Sequence, residues 1–346
     1  MASLPQHPRV LVIRRRYLGD VVLLGSLFRN LRLHWPGARL AALVEPAYEP
    51  ILELNPDVDE VLALPGRLSA WPGFASRVRR AGFTHVLDLD NTEKTALLAR
   101  LSGAPFRVAL HHGAHPVRLR ALYSVVAHEP ASVHEHRPIS DYYLTALGPA
   151  GVPVVTREVR LIPREADVAD WRRFVGAQGR TLLVHPGSRS PCRIWPAERF
   201  ASVCDRVQDE LGVQAVLVGG PAERPLVAQI RAQARTHLLS IDDPPSLPRF
   251  AALARACTAL LCHDSGPMHV AAAVGTRVVA LYGSQNPVLF RPHGDGHTQL
   301  APSMPCTACV APGACVPADS YRTYCVRRLT VDEVFAALKA TLSRAS

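Results

Sequence analysis

The feature that most constrains the fold of this chain is the alternation of short β-rich runs with longer amphipathic stretches. In the first half, the run RVLVI (9–13) has the composition of a buried parallel strand. The next segment (20–35) repeats apolar residues at helical spacing, which predicts a helix. Further strands are predicted at 38–44, 59–64 and 84–89. This βαβα order predicts a doubly wound parallel sheet.

The second half repeats the alternation. Strands are predicted at 181–185, 213–220, 236–241, 258–263 and 276–283, with helices beginning near 197, 222, 246 and 267. A closing helix is predicted at 330–342, where Thr330 and Glu333 have the spacing of a capping box. The predicted class is therefore α/β, with two Rossmann-like doubly wound parallel-sheet domains that face each other across a cleft. The predicted domains are 1–155 and 156–329, followed by a C-terminal helical segment, 330–346.

Two stretches interrupt the alternation. Residues 110–137 contain Pro116, Pro130 and six of the fifteen histidines, namely His111, His112, His115, His128, His134 and His136. We interpret this stretch as a polar surface segment, in preference to a metal site. Residues 284–329 are predicted to be irregular.

The composition is that of a globular protein, because 48% of the residues are hydrophobic and 20% are charged. The first residues, MASLPQHPR, lack the apolar segment of a signal peptide. No run approaches the roughly 18 apolar residues that a bilayer span requires. These features predict a cytoplasmic protein.

The net charge is +10, and it is carried almost wholly by arginine, since lysine occurs only at positions 94 and 339. Residues 1–150 contain 17 basic and 13 acidic residues, and the remainder contains 22 and 16, so the excess is spread over both halves. This spread argues against a basic nucleic-acid-binding arm, and we expect no nucleic-acid partner. The excess of arginine favours an anionic substrate or peripheral contact with the inner-membrane face. An arginine-rich coding bias explains the charge equally well.

Four of the eight cysteines, Cys306, Cys309, Cys315 and Cys325, lie within 20 residues. A close pair followed by two further thiols in an irregular segment favours a structural metal, with zinc as the first choice and iron as the second. The later spacings do not repeat the first pair, so reduced thiols without a metal remain the alternative.

The stretch HDSGPMH (263–269) places a cluster of polar residues where a predicted strand gives way to a helix. Pro267 suits the first helical position, and the amides behind it would be free to bind an anion. Asp264, Ser265 and His269 surround this point together with Gly266. A helix cap needs only one such residue, so the cluster favours a diphosphate site over simple capping.

Two other strand ends in the second half have residues suited to the same ligand, because ligands of such sheets bind beyond the carboxyl ends of the strands. In HPGSRSPCRIWP (185–196), Gly187 permits close approach of the backbone, Ser188 offers a hydroxyl, and Arg193 offers charge. In VGGPAER (218–224), Gly219 leaves a bare backbone before a helix. Ordinary surface loops are the alternative for both segments.

In the first half, RRRYLGD (14–20) comes directly after the first strand. Asp20 has two interpretations, as a helix cap or as a general base at the carboxyl end of a strand. A Rossmann-fold dehydrogenase or epimerase would have G-x-G-x-x-G here, which this segment lacks.

The chain resembles the glycosyltransferase family that contains the bacterial ADP-heptose:lipopolysaccharide heptosyltransferases. The resemblance covers nearly the whole length and rests on three segments: the R-x-x-x-x-G-D turn ending at Asp20, the loop HPGSRSPCRIWP, and HDSGPMHVAAAVGTRVVALYG (263–283). It implies a GT-B architecture, with an N-terminal acceptor domain, a C-terminal donor domain and inversion at the anomeric carbon.

By position, Asp20 matches the family's catalytic base, Ser188 its donor-loop hydroxyl, and Asp264 and His269 its donor-binding pair. Arg193 stands where many members have lysine. The resemblance implies transfer of a sugar, by default heptose from ADP-heptose, to a lipopolysaccharide core or a related anionic glycolipid or glycan acceptor. No cofactor is required for such catalysis. Another donor, a protein acceptor, or a non-catalytic nucleotide-binding module are the alternatives.

Overall fold

The computed structural model describes residues 7–114, 116–176, 179–189, 193–283, 285–302 and 325–344. The chain divides into two compact units, Met1–Ile162 and Pro163–Ser346. The sequence-based boundary at 155 precedes this division by seven residues. The intervening residues are held to the first unit, because the Asn30 side chain bonds to Thr156 and the amide of Ile162 donates to Leu54 O.

The first unit contains a six-stranded sheet in which all pairings are parallel. The strand order is β3-β2-β1-β4-β5-β6. The strands are β1 (Arg9–Ile13), β2 (Arg39–Val44), β3 (Glu60–Ala63), β4 (His85–Asp88), β5 (Phe106–His112) and β6 (Val125–Glu129). The central strand β1 is almost wholly buried, as its continuous apolar sequence predicts.

Helices of the first unit connect these strands in the predicted alternation. They are α1 (Leu18–His34), α2 (Glu49–Leu52), α3 (Trp71–Arg80), α4 (Glu93–Leu101), α5 (Ala131–His134) and α6 (Ile139–Leu144). Short 3-10 turns precede α3 at Leu68–Ala70 and β6 at Arg120–Leu122. One apolar core lies between the sheet and α3 and α4, and Phe74, Val78 and Leu98 fill it.

Residues 110–137, predicted to be a surface segment that interrupts the alternation, contain regular structure. Strand β5 ends within this segment and β6 lies inside it, paired with β5 so that His111 opposes His128. Along the last three residues of VVAHE, burial and exposure alternate: Ala127 and Glu129 are buried, and His128 between them is exposed. The polar composition therefore reflects a strand at the edge of the sheet.

The second unit repeats the arrangement of the first, with a parallel sheet in the order β12-β11-β10-β7-β8-β9. Its strands are β7 (Thr181–His185), β8 (Gln214–Val218), β9 (Leu239–Ile241), β10 (Ala259–His263), β11 (Arg277–Leu281) and β12 (Thr298–Leu300). Its helices are α7 (Glu165–Val175), α8 (Ala197–Leu211), α9 (Arg224–Gln233), α10 (Leu247–Ala256), α11 (Gly266–Ala273) and α12 (Val331–Ser343).

Strand β12 corrects the prediction that residues 284–329 are irregular, since it pairs with β11. A 3-10 turn at Cys325–Arg328 further shows that the segment is not wholly irregular. The predicted capping box of the last helix is confirmed: the Glu333 amide donates to Thr330 Oγ1 at 3.2 Å, and the Thr330 amide donates to Glu333 Oε2 at 2.7 Å.

The two doubly wound parallel sheets confirm the predicted fold class. In each sheet the order reverses between two central strands, β1 and β4 in the first and β7 and β10 in the second. Ligands of doubly wound sheets bind beyond the carboxyl ends of the strands at such a reversal. The residues directly after these four strands are therefore the candidates for function.

The described helices include none that combines the length and the apolar character needed to cross a membrane.

Candidate functional site

Asp20 lies where the first sheet reverses, in the first turn of α1. Its Oδ2 accepts a hydrogen bond from the Tyr17 amide at 3.1 Å, which is the bond of an N-terminal helix cap. The side chain is 16% exposed, so solvent reaches it. Asp20 therefore caps the helix and still presents part of its carboxylate.

The other carboxylate oxygen of Asp20 is held by two side chains. Oδ1 accepts a hydrogen bond from the hydroxyl of Tyr143 on α6, and it lies 3.0 Å from the Arg14 guanidinium. Tyr143 is fully buried, and burial raises the pKa of its hydroxyl well above the ordinary value, so this group stays protonated and donates. A carboxylate offers about four lone-pair positions. Two on Oδ1 and one on Oδ2 are taken, which leaves one position on Oδ2.

Arg14 is fixed in turn by the end of the neighbouring strand β4. Its guanidinium lies 3.2 Å from Asp90 Oδ1 and donates to Leu89 O at 3.2 Å, and it lies 5.3 Å from the centre of the Tyr143 ring. Burial alone would lower the pKa of Arg14, but the adjacent Tyr143, Asp20 and Asp90 raise it overall. The cation is permanent and lies against the Asp20 carboxylate.

Asp88, the last residue of β4, holds the turn that carries Asp90. It is fully buried, and burial raises the pKa of its carboxyl group to about 6. Its oxygens accept the Tyr123 hydroxyl at 2.5 Å and the amides of Asp90 at 3.0 Å and Asn91 at 3.1 Å. Asp88 thus shapes the turn that carries Asp90, and it has no exposed atoms with which to meet a substrate.

The histidines of β5, β6 and α5 contact one another through their rings. His112 stacks on His134 with ring centres 3.9 Å apart, and His111 lies 5.5 Å from His128. Burial lowers the pKa of His134 to about 4, so this residue is neutral at pH 7. Across the described ranges, no three potential ligands are grouped to hold a metal ion. His115 lies outside the described residues.

In the second unit, His263 at the end of β10 anchors the loop after β7. Its Nε2 accepts the Trp195 amide at 2.9 Å, so its Nδ1 carries the proton and donates to Gly187 O at 3.3 Å. The ring is fully buried, and burial lowers its pKa to about 4. The sequence pattern did not predict this residue as part of the site, although it directly precedes Asp264.

The anchored loop carries Ser188 and Arg193. The buried Ser188 Oγ has no hydrogen-bond partner among the described residues. Arg193 lies 3.7 Å from Asp264 Oδ2, and their side chains are 22% and 11% exposed. Because buried polar groups are normally paired, the Ser188 hydroxyl is a candidate contact for a ligand.

The helix after Asp264 begins one residue earlier than expected. α11 starts at Gly266, which places Pro267 at the second helical position and not the first. Ser265 is the N-cap residue, but its hydroxyl donates to His263 O at 3.2 Å and does not cap the helix. The Met268 amide bonds to Ser265 O, so the Gly266 amide is the remaining donor of this first turn. His269 is buried in the same turn.

Glu223 is a further residue that the sequence pattern did not predict. It lies against the backbones of Gly187, Gly219 and Gly220. A Cβ on Gly187 would stand 2.8 Å from Glu223 Cδ, and one on Gly219 would stand 2.7 Å from Glu223 Cβ. A Cβ on Gly220 would stand 2.8 Å from Glu223 Oε2. A side chain at these positions would displace Glu223. The buried Nδ1 of nearby His185 has no partner among the described residues. The sequence signal was the Gly-Gly pair with a glutamate three residues later.

Of the predicted metal ligands, Cys306, Cys309 and Cys315 lie outside the described residues. Cys325 is buried at the start of its 3-10 turn, with its Sγ 3.2 Å from where a Cβ on Gly283 would stand. The metal site at these cysteines stays a prediction.

The polar groups described above lie beyond the strand reversals of two doubly wound sheets, as in nucleotide-sugar transferases of the GT-B class. Residues 72–315 match glycosyltransferase family 9 (heptosyltransferase). The chain belongs to this family and is a glycosyltransferase.

Similar proteins agree with this assignment. Lipopolysaccharide heptosyltransferase 2 of Escherichia coli K12 is 25% identical over 301 residues, which cover 81% of this chain and 84% of that protein. Among solved structures, a family 9 glycosyltransferase from Veillonella parvula superposes with a TM-score of 0.85 at 24% identity, covering 99% of both chains. The E. coli ADP-heptose lipopolysaccharide heptosyltransferase II superposes with a TM-score of 0.78 at 21% identity, covering 97% of this chain and 99% of that one.

Proposed function

We propose that this glycosyltransferase moves heptose from ADP-heptose to a hydroxyl group of a lipopolysaccharide core, with inversion at the anomeric carbon. The names of the similar proteins support the sugar and the acceptor class. The observation that carries the chemistry is the Asp20 carboxylate, which is held by Tyr143, Arg14 and the Tyr17 amide with one lone-pair position left.

In this reaction Asp20 acts as the general base through Oδ2. The acceptor oxygen attacks the anomeric carbon, its proton passes to Oδ2, and the bond from that carbon to the diphosphate oxygen breaks. The electron pair of this bond leaves with ADP. A single displacement of this kind inverts the configuration. The Arg14 guanidinium and the Tyr143 hydroxyl hold Oδ1, which leaves Oδ2 to receive the proton.

The second unit binds the departing diphosphate in this proposal. Arg193, the Ser188 hydroxyl and the Gly266 amide supply positive charge and hydrogen-bond donors where negative charge grows. Asp264 would repel a diphosphate, so its ion pair with Arg193 has the role of orienting the guanidinium. Donors fixed before the reaction need no rearrangement, which lowers the barrier to bond breaking.

The nucleoside occupies the neighbouring part of the same sheet edge. The Glu223 carboxylate lies among three glycine backbones and suits a pair of ribose hydroxyls, which are donors to an acidic side chain. A pocket beside it is lined by Val227, Ile241 and Asp242, which offer apolar walls and a polar rim for a base.

The test is a transfer assay with the full-length chain, ADP-heptose and a lipopolysaccharide core that lacks heptose. We expect heptosylated product, and NMR of the new linkage gives its anomeric configuration. Thermal shifts with ADP, UDP and GDP test the nucleotide, since a ligand of the folded state raises the melting temperature. Stabilisation by UDP but not ADP, or a retained configuration, would contradict the proposed donor or mechanism.

A further inference from the structure

A second surface of the first unit combines exposed leucines with cations. Four leucines on neighbouring elements, Leu68, Leu97, Leu101 and Leu119, are 88%, 51%, 52% and 44% exposed. Five exposed cations accompany them, namely Arg67, Lys94, Arg100, Arg118 and Arg120. We call this surface, built on the turn Leu68–Ala70, the start of α3, α4 and the turn Arg120–Leu122, the basic leucine face.

Contacts between the elements show that these residues belong to one surface. Lys94 Nζ on α4 lies 5.0 Å from the centre of the Trp71 ring at the start of α3. Arg118 lies 2.7 Å from Glu93, also on α4. Trp71 and Leu122 both pack against the core between this layer and the sheet. Leu97 and Leu101 are one helical turn apart, so they project from the same side of α4.

The basic leucine face carries mostly positive charge. Among its described residues, Glu93 is the exposed carboxylate, and Arg118 already pairs with it. Asp88 of the same stretch is fully buried, and the Asp90 side chain, which is 7% exposed, pairs with Arg14 and Arg15. Single exposed leucines are ordinary, but four leucines beside a half-buried tryptophan and five cations are not.

We propose that the basic leucine face docks onto an anionic lipid bilayer. Leucine side chains suit the boundary between headgroups and acyl chains, tryptophan suits the headgroup level, and arginine and lysine attract anionic headgroups. A nucleic acid would instead favour aromatic side chains on which bases stack, and the exposed apolar groups here are aliphatic. The proposal does not depend on the identity of the donor or acceptor.

The experiment measures binding of the full-length chain to vesicles without any sugar substrate. We expect flotation with vesicles of phosphatidylglycerol and phosphatidylcholine, weaker flotation at high salt, and little with phosphatidylcholine alone. Arg67→Gln and Arg100→Gln should each weaken binding about fivefold, and Leu68→Ser about tenfold.

Matched controls lie elsewhere on the chain. Leu33→Ser removes a leucine that is 45% exposed on α1, and Arg173→Gln removes a cation whose side chain is 76% exposed in the second unit. Both should leave vesicle binding unchanged. Equal loss in the controls, or no binding to anionic vesicles, would overturn the proposal. Retention on heparin without vesicle binding would also overturn it and assign the face to a soluble polyanion.

Discussion

The hydroxyl of Tyr143 donates a hydrogen bond to Oδ1 of Asp20, across 123 positions of the chain. This bond joins α6 to the first turn of α1, and Arg14 meets the same oxygen. Oδ1 is therefore the anchored oxygen of Asp20, and Oδ2 is the oxygen left to accept a proton.

Asp20→Asn should lower kcat by a factor of about 10³, because an amide cannot accept the proton of the acceptor hydroxyl. Asparagine keeps the shape, and with its carbonyl oxygen at the Oδ1 position it still accepts from Tyr143, whereas its amide nitrogen cannot accept the Tyr17 hydrogen bond. The residues proposed to bind the diphosphate lie in the second unit. Donor binding should therefore be unchanged, which titration of ADP followed by calorimetry measures. Wild-type turnover in this variant would eliminate Asp20 as the base.

Tyr143→Phe should lower kcat about tenfold, because a hydrogen bond that holds Oδ1 of Asp20 is lost and the carboxylate is less well oriented. KM for the donor should be unchanged. Tyr142→Phe is the matched control, since this neighbouring tyrosine is equally well packed and has no hydrogen bond to Asp20. If Asp20→Asn is inactive and kcat is unchanged in Tyr143→Phe, Asp20 is the base but Tyr143 does not position it.

The groups that are contiguous in the chain could be predicted from the sequence, whereas those that tertiary packing brings together could not. Strand ends next to glycine or proline predicted Asp20, Ser188 and Asp264 as candidates, because local residue order determines which side chains come directly after a strand. Tyr143 and Glu223 reach the two sheet edges from α6 and from the turn before α9, and no local pattern fixes such distant partners. The polar residues of β6 are typical of a loop, whereas pairing with β5 makes it an edge strand.

Gly187→Ala should weaken donor binding, because the new methyl group would stand 2.8 Å from Glu223 Cδ and displace the carboxylate. We expect KM for the donor to rise about tenfold with a smaller change in kcat. Glu223→Gln should give a similar rise without a steric change. Gly179→Ala is the control in the same unit, since a methyl group there meets no atom within 4 Å. A normal KM in both site variants would remove Glu223 from the donor site.

The contribution of His263 to the free energy of unfolding should fall as the pH is lowered from 6.5 towards 4, opposite in sign to that of Asp88, whose raised pKa favours the folded state in acid. Burial lowers the pKa of His263 to about 4, so between these values the unfolded chain binds a proton that the folded chain does not. The stabilisation from neutral His263 is complete above pH 6.5 and is lost as the pH falls to 4. It is on the order of 3 kcal/mol.

Urea unfolding of wild type and His263→Gln at pH 7 and pH 5 measures this contribution. The variant should lose part of the pH dependence, because glutamine does not titrate. His128→Gln removes an exposed histidine and should keep the dependence of the wild type. An identical pH dependence in all three proteins would show that His263 does not account for the acid sensitivity.

Chelation by EDTA should leave turnover unchanged, because the proposed site meets the diphosphate with Arg193, the Ser188 hydroxyl and the Gly266 amide. Arg193→Ala should lower kcat by about 10²-fold, the usual cost of removing one donor from a charged transition state. Arg193→Lys should recover only part of this loss, because an ammonium group keeps the charge but not the planar pair of donors. Arg173→Ala, which removes an exposed cation of the same unit, should have no effect. A large loss on chelation that Mg²⁺ restores would show instead that a divalent cation supplies the charge assigned to Arg193.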